Sequence, residues 1–310
     1  MANRFIEKPG VETPGYFLPS LWDFCPGGTF DHSPVIYRWA TQSNSCFILP
    51  FQGIGILNTG KRMNNDKLYS SGKVTEDFSF NDQVAEIFDD MLDRSVPHYQ
   101  TVIKTTAAMI LQLAEPESVI YDLGCSTGST LLELSRLLPD MNLRFIGLDN
   151  APAMLEKAQR KAEMFGKSSV IEFQQQDITD TGLSQALQGA DIILCNYTMQ
   201  FIRPMLRQDF VNRLAASLPT GGLLFISEKI ISKHSRLNRT FIDLYHDFKR
   251  DQGYSELEIA AKREALENVL IPFTPEENMN LLRASGFEEA EMFFRWINFA
   301  SFVALKKQKR

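Results

Sequence analysis

Short apolar runs alternate with helix-length amphipathic stretches through most of this 310-residue chain, and that rhythm admits few folds. Residues 118–123, 143–148, 169–173, 191–195 and 223–227 read as strands, and 129–138, 151–165 and 204–218 between them read as helices. A strand that leaves the sheet, runs a helix and returns beside its neighbour gives parallel pairing with helices on both faces, an α/β fold. Upstream, Val84, Ile87, Phe88, Met91 and Leu92 recur at helical spacing. Pro97 is placed to open a second helix through Ile103, Ala107, Ile110 and Leu113. The C-terminal end departs from the rhythm. A helix stops at Gly286, and 287–294 and 298–305 read as two successive extended runs. Between Glu228 and Pro272 lies a polar helical insertion that the βα repeat does not need, and added elements of this kind usually serve a function.

The first strand, VIYDL, runs straight into GCSTG. Gly124 and Gly128 let the chain turn tightly and let a ligand approach the backbone, around Cys125 and Ser126. The following helix points its free N–H groups at the same space, and ligands of open α/β sheets lie beyond the carboxyl ends of the strands. A dinucleotide loop asks for glycine at 126, where Ser126 stands, which argues against a nicotinamide cofactor. With Asp122 ahead of the loop, the pattern D-x-G-x-x-x-G resembles the first motif of S-adenosylmethionine-dependent methyltransferases instead. Asp149 ends the second strand, 21 residues after Gly128, and its carboxylate can accept both hydroxyls of a ribose. A helix N-cap, with Asn150, is the other use of such a residue. Asp177 ends the third strand in QQQDI, placed to meet an adenine with Ile178 against the ring, or else to close a solvated turn. Asn196 ends the fourth in LCNYTMQF, where it can face the amino-acid part of the ligand.

Composition removes other classes. A formal net charge of -6 argues against a broad electrostatic footprint for nucleic acid. Cys25, Cys46, Cys125 and Cys195 form no CxxC pair, so neither a zinc ribbon nor a redox dithiol is indicated and no metal is expected. A reducing cytosol suits these thiols, and no secretory signal pattern opens the chain. The most apolar stretch near the N-terminus, 46–57, is too short to span a membrane and carries Pro50, Gly53 and Gly55. Residues 1–62 hold 6 of the 14 prolines and 7 of the 18 glycines, without a sustained period, which marks them off as an N-terminal extension. Its aromatic Phe17, Trp22, Phe30, Trp39 and Phe51 are unlike a disordered linker. Met63 begins MNNDKLYSSGKVTEDFSF, which reads like the polar start of a bacterial protein. Residues 1–62 are therefore expected to come from an upstream start-site assignment, or else to be an accessory segment, and 63–310 to be the catalytic domain.

From about Phe78 to Lys306 the chain resembles the carboxy-S-adenosyl-L-methionine synthase family, within the class I methyltransferase superfamily. The resemblance rests on FNDQVAEIFDDMLDRSVPHYQ, YDLGCSTG, LDNAPAMLEKA, NYTMQFI, HDFKRDQGYSELEIAAKREALENV and NFASFVALK, of which the first and fifth are not generic methyltransferase sequence. It implies a Rossmann-like fold with a mostly parallel seven-stranded sheet, a C-terminal antiparallel hairpin and a helical insertion. It implies S-adenosyl-L-methionine (SAM) and prephenate as substrates and carboxy-SAM and phenylpyruvate as products. Prephenate would fragment to phenylpyruvate, carbon dioxide and hydroxide. The hydroxide would take a methyl proton as water, and the methyl carbon would capture the carbon dioxide. The family's SAM contacts fall here on Tyr99, Gly124 to Ser126, Asp149, Asn150, Asp177, Ile178 and Asn196, and its product-carboxylate arginine on Arg263. That arginine reaches across a dimer interface in the family, which implies a homodimer. A separate transferase uses the product on the wobble uridine of certain tRNAs.

Two of these residues have other readings by spacing alone. Ser255 and Glu258 form a capping box, so a helix is expected over 256–269. Glu256, Glu258, Lys262, Arg263, Glu264 and Glu267 on it read as one charged surface, where an arginine is by default solvated. Against that, a guanidinium fork binds a carboxylate bidentately and gains nothing from a methyl group. Tyr99 is expected to cover the sulfonium or amino-acid end of the ligand, or else to pack in the core. His98 and His246 receive no catalytic role. An ordinary SAM-dependent methyltransferase and a non-catalytic SAM-binding protein share every one of the strand-end residues; the insertion and a demand for prephenate distinguish them.

Overall fold

The computed structural model describes Asp66, Leu68, Ser70 and residues 78–307; residues 1–62, with the start-site expectation, lie outside the described residues. Helices α1 (Asp82–Ser95) and α2 (Tyr99–Leu113) come first. Asn81 caps α1, its Oδ1 accepting from the Val84 N–H at 3.0 Å. Pro97 does not open α2. His98 takes a left-handed φ of 57° between the two helices, so the chain turns there and α2 starts at Tyr99.

The alternating core follows as β1 (Val119–Leu123), α3 (Ser129–Leu137), β2 (Arg144–Asp149), α4 (Pro152–Met164), β3 (Ile171–Gln175), α5 (Leu183–Ala186), β4 (Ile192–Asn196), α6 (Pro204–Ser217) and β5 (Leu223–Lys229). The insertion is α7 (Ser235–Asp251) and α8 (Glu256–Leu266), and α9 (Pro275–Ala284), β6 (Glu289–Trp296) and β7 (Phe299–Leu305) close the domain. The sheet order is β3-β2-β1-β4-β5-β7-β6. The first five strands pair in parallel, and β7 runs antiparallel to both β5 and β6. Strand β3 lies two residues later than its sequence pattern, because Val170 and Ile171 still donate to the Lys167 carbonyl in a closing turn. Helix α8 ends at Leu266, three residues before the expected stop.

Two apolar layers flank the sheet. Ile103, Ile110, Leu131, Leu134 and Phe225 lie in one, and Leu183, Phe210, Leu214, Leu282 and Phe287 in the other. This burial of strand side chains on both faces explains why the β1, β4 and β5 sequences read as continuous apolar runs. Reversal between β1 and β4 leaves a crevice at the carboxyl ends of the strands, where open α/β sheets place their ligands. No helix among the described residues is long and apolar enough to cross a membrane.

Candidate active site

The glycine-rich loop is shaped by backbone bonds that need no ligand. Gly124 and Cys125 both donate to the Leu148 carbonyl, at 2.8 and 3.1 Å. Gly124 has φ +70°, and a Cβ there would sit 2.5 Å from the Thr198 side chain. Gly128 has φ +71°, and a Cβ there would meet the Phe173 ring at 2.7 Å. Both positions therefore exclude side chains by conformation and by space. Ser126 also adopts a positive φ, 49°, which turns its N–H toward Asp149.

Asp149 combines its two sequence readings. Its Oδ2 accepts from the Ser126 N–H at 2.8 Å and its Oδ1 from the Ala151 N–H at 2.9 Å, so one carboxylate fastens the β1 loop to the start of α4. Each oxygen keeps a further lone pair for a ligand hydroxyl. Burial pushes this carboxyl up, opposed by the backbone N–H groups it accepts from. Asp122, at 2% exposure, is pushed up to about 7 by burial and by the charge of Asp149. Asp177 stands two residues past the end of β3 and not on the strand. Its Oδ1 accepts from the Thr179 N–H and hydroxyl at 2.8 and 2.7 Å, which holds the turn carrying Ile178. Tyr99 is buried, its hydroxyl 2.9 Å from Thr130 Oγ1 and its ring 6.2 Å from Tyr197; burial raises the phenol. Asn196 has a buried Oδ1 with no hydrogen-bond partner among the described residues.

These side chains share one cavity of about 490 Å³. Gly124, Cys125, Ser126, Asp149 and Asn150 line it from the first two strand ends, and Asp177, Ile178 and Asn196 from the next two. Tyr99 and Arg263 line it from the helical side. Arg263 is exposed and has no hydrogen bond or ion pair among the described residues, so its fork is available. Its neighbour Lys262 does not belong to the charged surface that spacing indicated. It is 5% exposed, donating to Ser95 Oγ at 2.9 Å and lying 3.8 Å from Asp66 Oδ2. Tyr254 donates to the same Asp66 carboxylate, and Tyr245 donates to the Ser95 carbonyl at 2.8 Å. This buried network ties α7 and α8 to the end of α1 and so fixes the insertion beside the cavity.

A second support was not legible in the sequence. Asp89 Oδ1 accepts from Thr127 Oγ1 and Ser129 Oγ, both at 2.7 Å, and Lys161 Nζ lies 3.0 Å from its Oδ2. Burial alone would raise the Asp89 carboxyl, but Lys161 and the two hydroxyls outweigh it and hold the group below its usual value. The cluster joins α1, the glycine loop and α4. Its one sequence signal is the pair of hydroxyl residues flanking Gly128.

Residues 120–222 match a family model described as a methyltransferase domain. A carboxy-S-adenosyl-L-methionine synthase from Desulfotalea psychrophila is 51% identical over 243 residues, covering 78% of this chain and 98% of that protein. The chain belongs to the carboxy-S-adenosyl-L-methionine synthase family. A second synthase of that name, from Sulfurimonas denitrificans, is 44% identical over 78% of this chain and all of its own length. The fold is that of the class I methyltransferases. A crystal structure from Methanococcus maripaludis, assigned as an S-adenosyl-L-methionine-dependent methyltransferase, superposes with a TM-score of 0.52 at 16% identity, over 77% of this chain and 99% of that one. Membership of the synthase family makes the chain an enzyme, and it directs attention to what the insertion adds to a methyltransferase crevice.

Proposed function

We propose that this enzyme converts SAM and prephenate to carboxy-SAM and phenylpyruvate. It acts in the cytoplasm as a homodimer, and a separate transferase carries the carboxymethyl group to a tRNA wobble uridine. The observation that carries the reading is the unpaired guanidinium of Arg263 on the same cavity as the strand-end residues. The methyl group of SAM offers that charge nothing to bind, whereas an added carboxylate does.

The strand ends fit the proposed ligand. The orphaned Asn196 Oδ1 is an acceptor awaiting a donor, as an amino-acid ammonium would supply. The spare lone pairs of Asp149 suit ribose hydroxyls, and the turn held by Asp177 sets Ile178 against the place of a base. SAM supplies a sulfonium whose methyl hydrogens are acidic for C–H groups. Arg263 receives the new carboxylate by charge-assisted hydrogen bonds worth roughly 1.5–3 kcal/mol each. Tyr99 closes the helical side, and the aromatic lining of Phe78, Phe80 and Phe201 limits water. Fragments formed in such a space react as an intramolecular pair.

Incubation of the protein with SAM and prephenate, followed by mass analysis, tests the reading. A SAM derivative heavier by one carboxyl group supports it, and unchanged SAM with ligand binding demonstrated overturns it. Arg263 lines the cavity of its own chain, whereas the family resemblance sends it to a neighbouring one. Mixing Arg263→Ala with Asp149→Asn subunits separates the two: activity returns only when Arg263 serves the partner.

A further inference from the structure

The cavity has a second charged wall that the reading above leaves unused. Lys229, at the end of β5, and Lys249, in the last turn of α7, both line it. Lys249 is 6% exposed. The two ammonium groups lie over the same Tyr245 ring, 5.1 and 4.7 Å from its centroid. Neither has a carboxylate, carbonyl or hydroxyl partner among the described residues, whereas neighbouring Lys262 has Ser95, Tyr254 and Asp66. A buried, unpaired ammonium is costly unless a ligand neutralises it. Two over one ring, with Arg263 and His246 on the same cavity, are therefore poor structure and good anion recognition.

We propose that Lys229 and Lys249 form a dicarboxylate subsite that binds prephenate, distinct from the Arg263 position. This rests on the function proposed above and assigns the residues that select its second substrate. The cavity is then divided by charge. Asp122, Asp149 and Asp177 stand on β1, on β2 and just past β3, where the cationic ligand lies, and the lysines stand at the end of β5 and on α7, where the dianion lies. Tyr245 offers its ring face to both ammonium groups, holding them in place before substrate arrives. Burial depresses Lys229 to about 8, helped by Arg263, and burial depresses Lys249, helped by Lys262 and Lys229. A bound dianion reverses that trend and recharges the pair. Prephenate brings two carboxylates; loss of one as carbon dioxide leaves phenylpyruvate with a single charge for two lysines. The subsite thus holds substrate more tightly than product and favours release after reaction.

The test uses the full chain with Lys229→Met and Lys249→Met, which keep an unbranched side chain and remove the charge. Calorimetry gives the SAM Kd, and carboxy-SAM formation at saturating SAM gives kcat and KM for prephenate. The expected result is a SAM Kd within threefold of wild type, with KM for prephenate raised about tenfold or more by each variant. Lys249→Arg, which keeps the charge, recovers much of the loss. Retained SAM affinity also reports that each variant is folded. A prephenate KM within threefold of wild type in both Met variants overturns the assignment. So does an equal loss of SAM affinity, which would place the lysines on the other ligand. Should wild type make no carboxy-SAM, titration of SAM-loaded protein with prephenate still decides: binding that the Met variants lose supports the subsite, and binding unchanged or absent in wild type overturns it.

Discussion

Replacing Asp149 by asparagine separates the two demands placed on that carboxylate. Both of its oxygens already accept a backbone N–H, from Ser126 at 2.8 Å and from Ala151 at 2.9 Å. An amide has one acceptor and one donor, so in either orientation its NH2 faces a backbone N–H. One buried N–H then loses its partner, at a cost of about 1–3 kcal/mol. Removal of a charge that burial disfavours offsets part of this. A melting temperature lower by roughly 2–8 °C is the expected outcome for a domain of this size. The ligand suffers separately. One of the two acceptors proposed for the ribose becomes a donor and the other loses its charge. A lost charge-assisted bond of roughly 1.5–3 kcal/mol weakens SAM about 10- to 150-fold. Calorimetric titration with SAM alone measures this without any turnover. Because burial raises the Asp149 carboxyl, wild-type affinity should also fall as pH is lowered through that raised value, where the acid begins to resemble the amide. An Asp149→Asn protein with unchanged melting temperature and a SAM Kd within threefold of wild type would refute both the structural and the ribose role.

Three further outcomes follow from the geometry. Arg263→Ala should weaken carboxy-SAM by about tenfold, the low end because the side chain is exposed, while SAM affinity and stability stay unchanged; competitive titration with the two ligands checks this. Gly128→Ala forces a side chain into φ +71° and to 2.7 Å from the Phe173 ring, so denaturant unfolding should show a loss of about 2–4 kcal/mol. Glu228 is fully enclosed, and burial pushes it up to about 8 despite Arg207, against 4.5 for the free group. Its folded-state pKa is raised, so the stability linked to its neutral form is complete below about 4.5 and is lost as pH rises through 8. Glu228→Gln lacks that dependence, and its melting temperature relative to wild type should climb by roughly 5–15 °C between pH 5 and 8.

Much of the ligand end was legible because it is local. Gly124 and Gly128 announce backbone conformations closed to other residues, and Asp149 and Asn196 each end a run of apolar strand residues. Asp177 still stands two residues beyond β3, although a turn at Lys167 delays that strand, because it belongs to the turn that follows, where its carboxylate accepts from Thr179; no periodicity reports this. The insertion was legible only in outline. Ser255 and Glu258 do form their capping box and start α8, but spacing treated Lys262 and Arg263 as equivalent surface charges. One is buried on Asp66 and the other faces the cavity.

The amino-acid sequence alone determined the order of strands and helices along the chain, the sharp loop after β1 and the polar residues that end β2 and β4. Those features arise from side-chain period and from φ values that one or two residues dictate. Tertiary packing decided which cations lost their water, which hydroxyls gathered on Asp89, and that α7 and α8 fold back onto the strand ends. Desolvation depends on what comes to lie against a side chain from far along the chain, and a lysine carries the same pattern in sequence whether its ammonium ends in solvent or in a cavity.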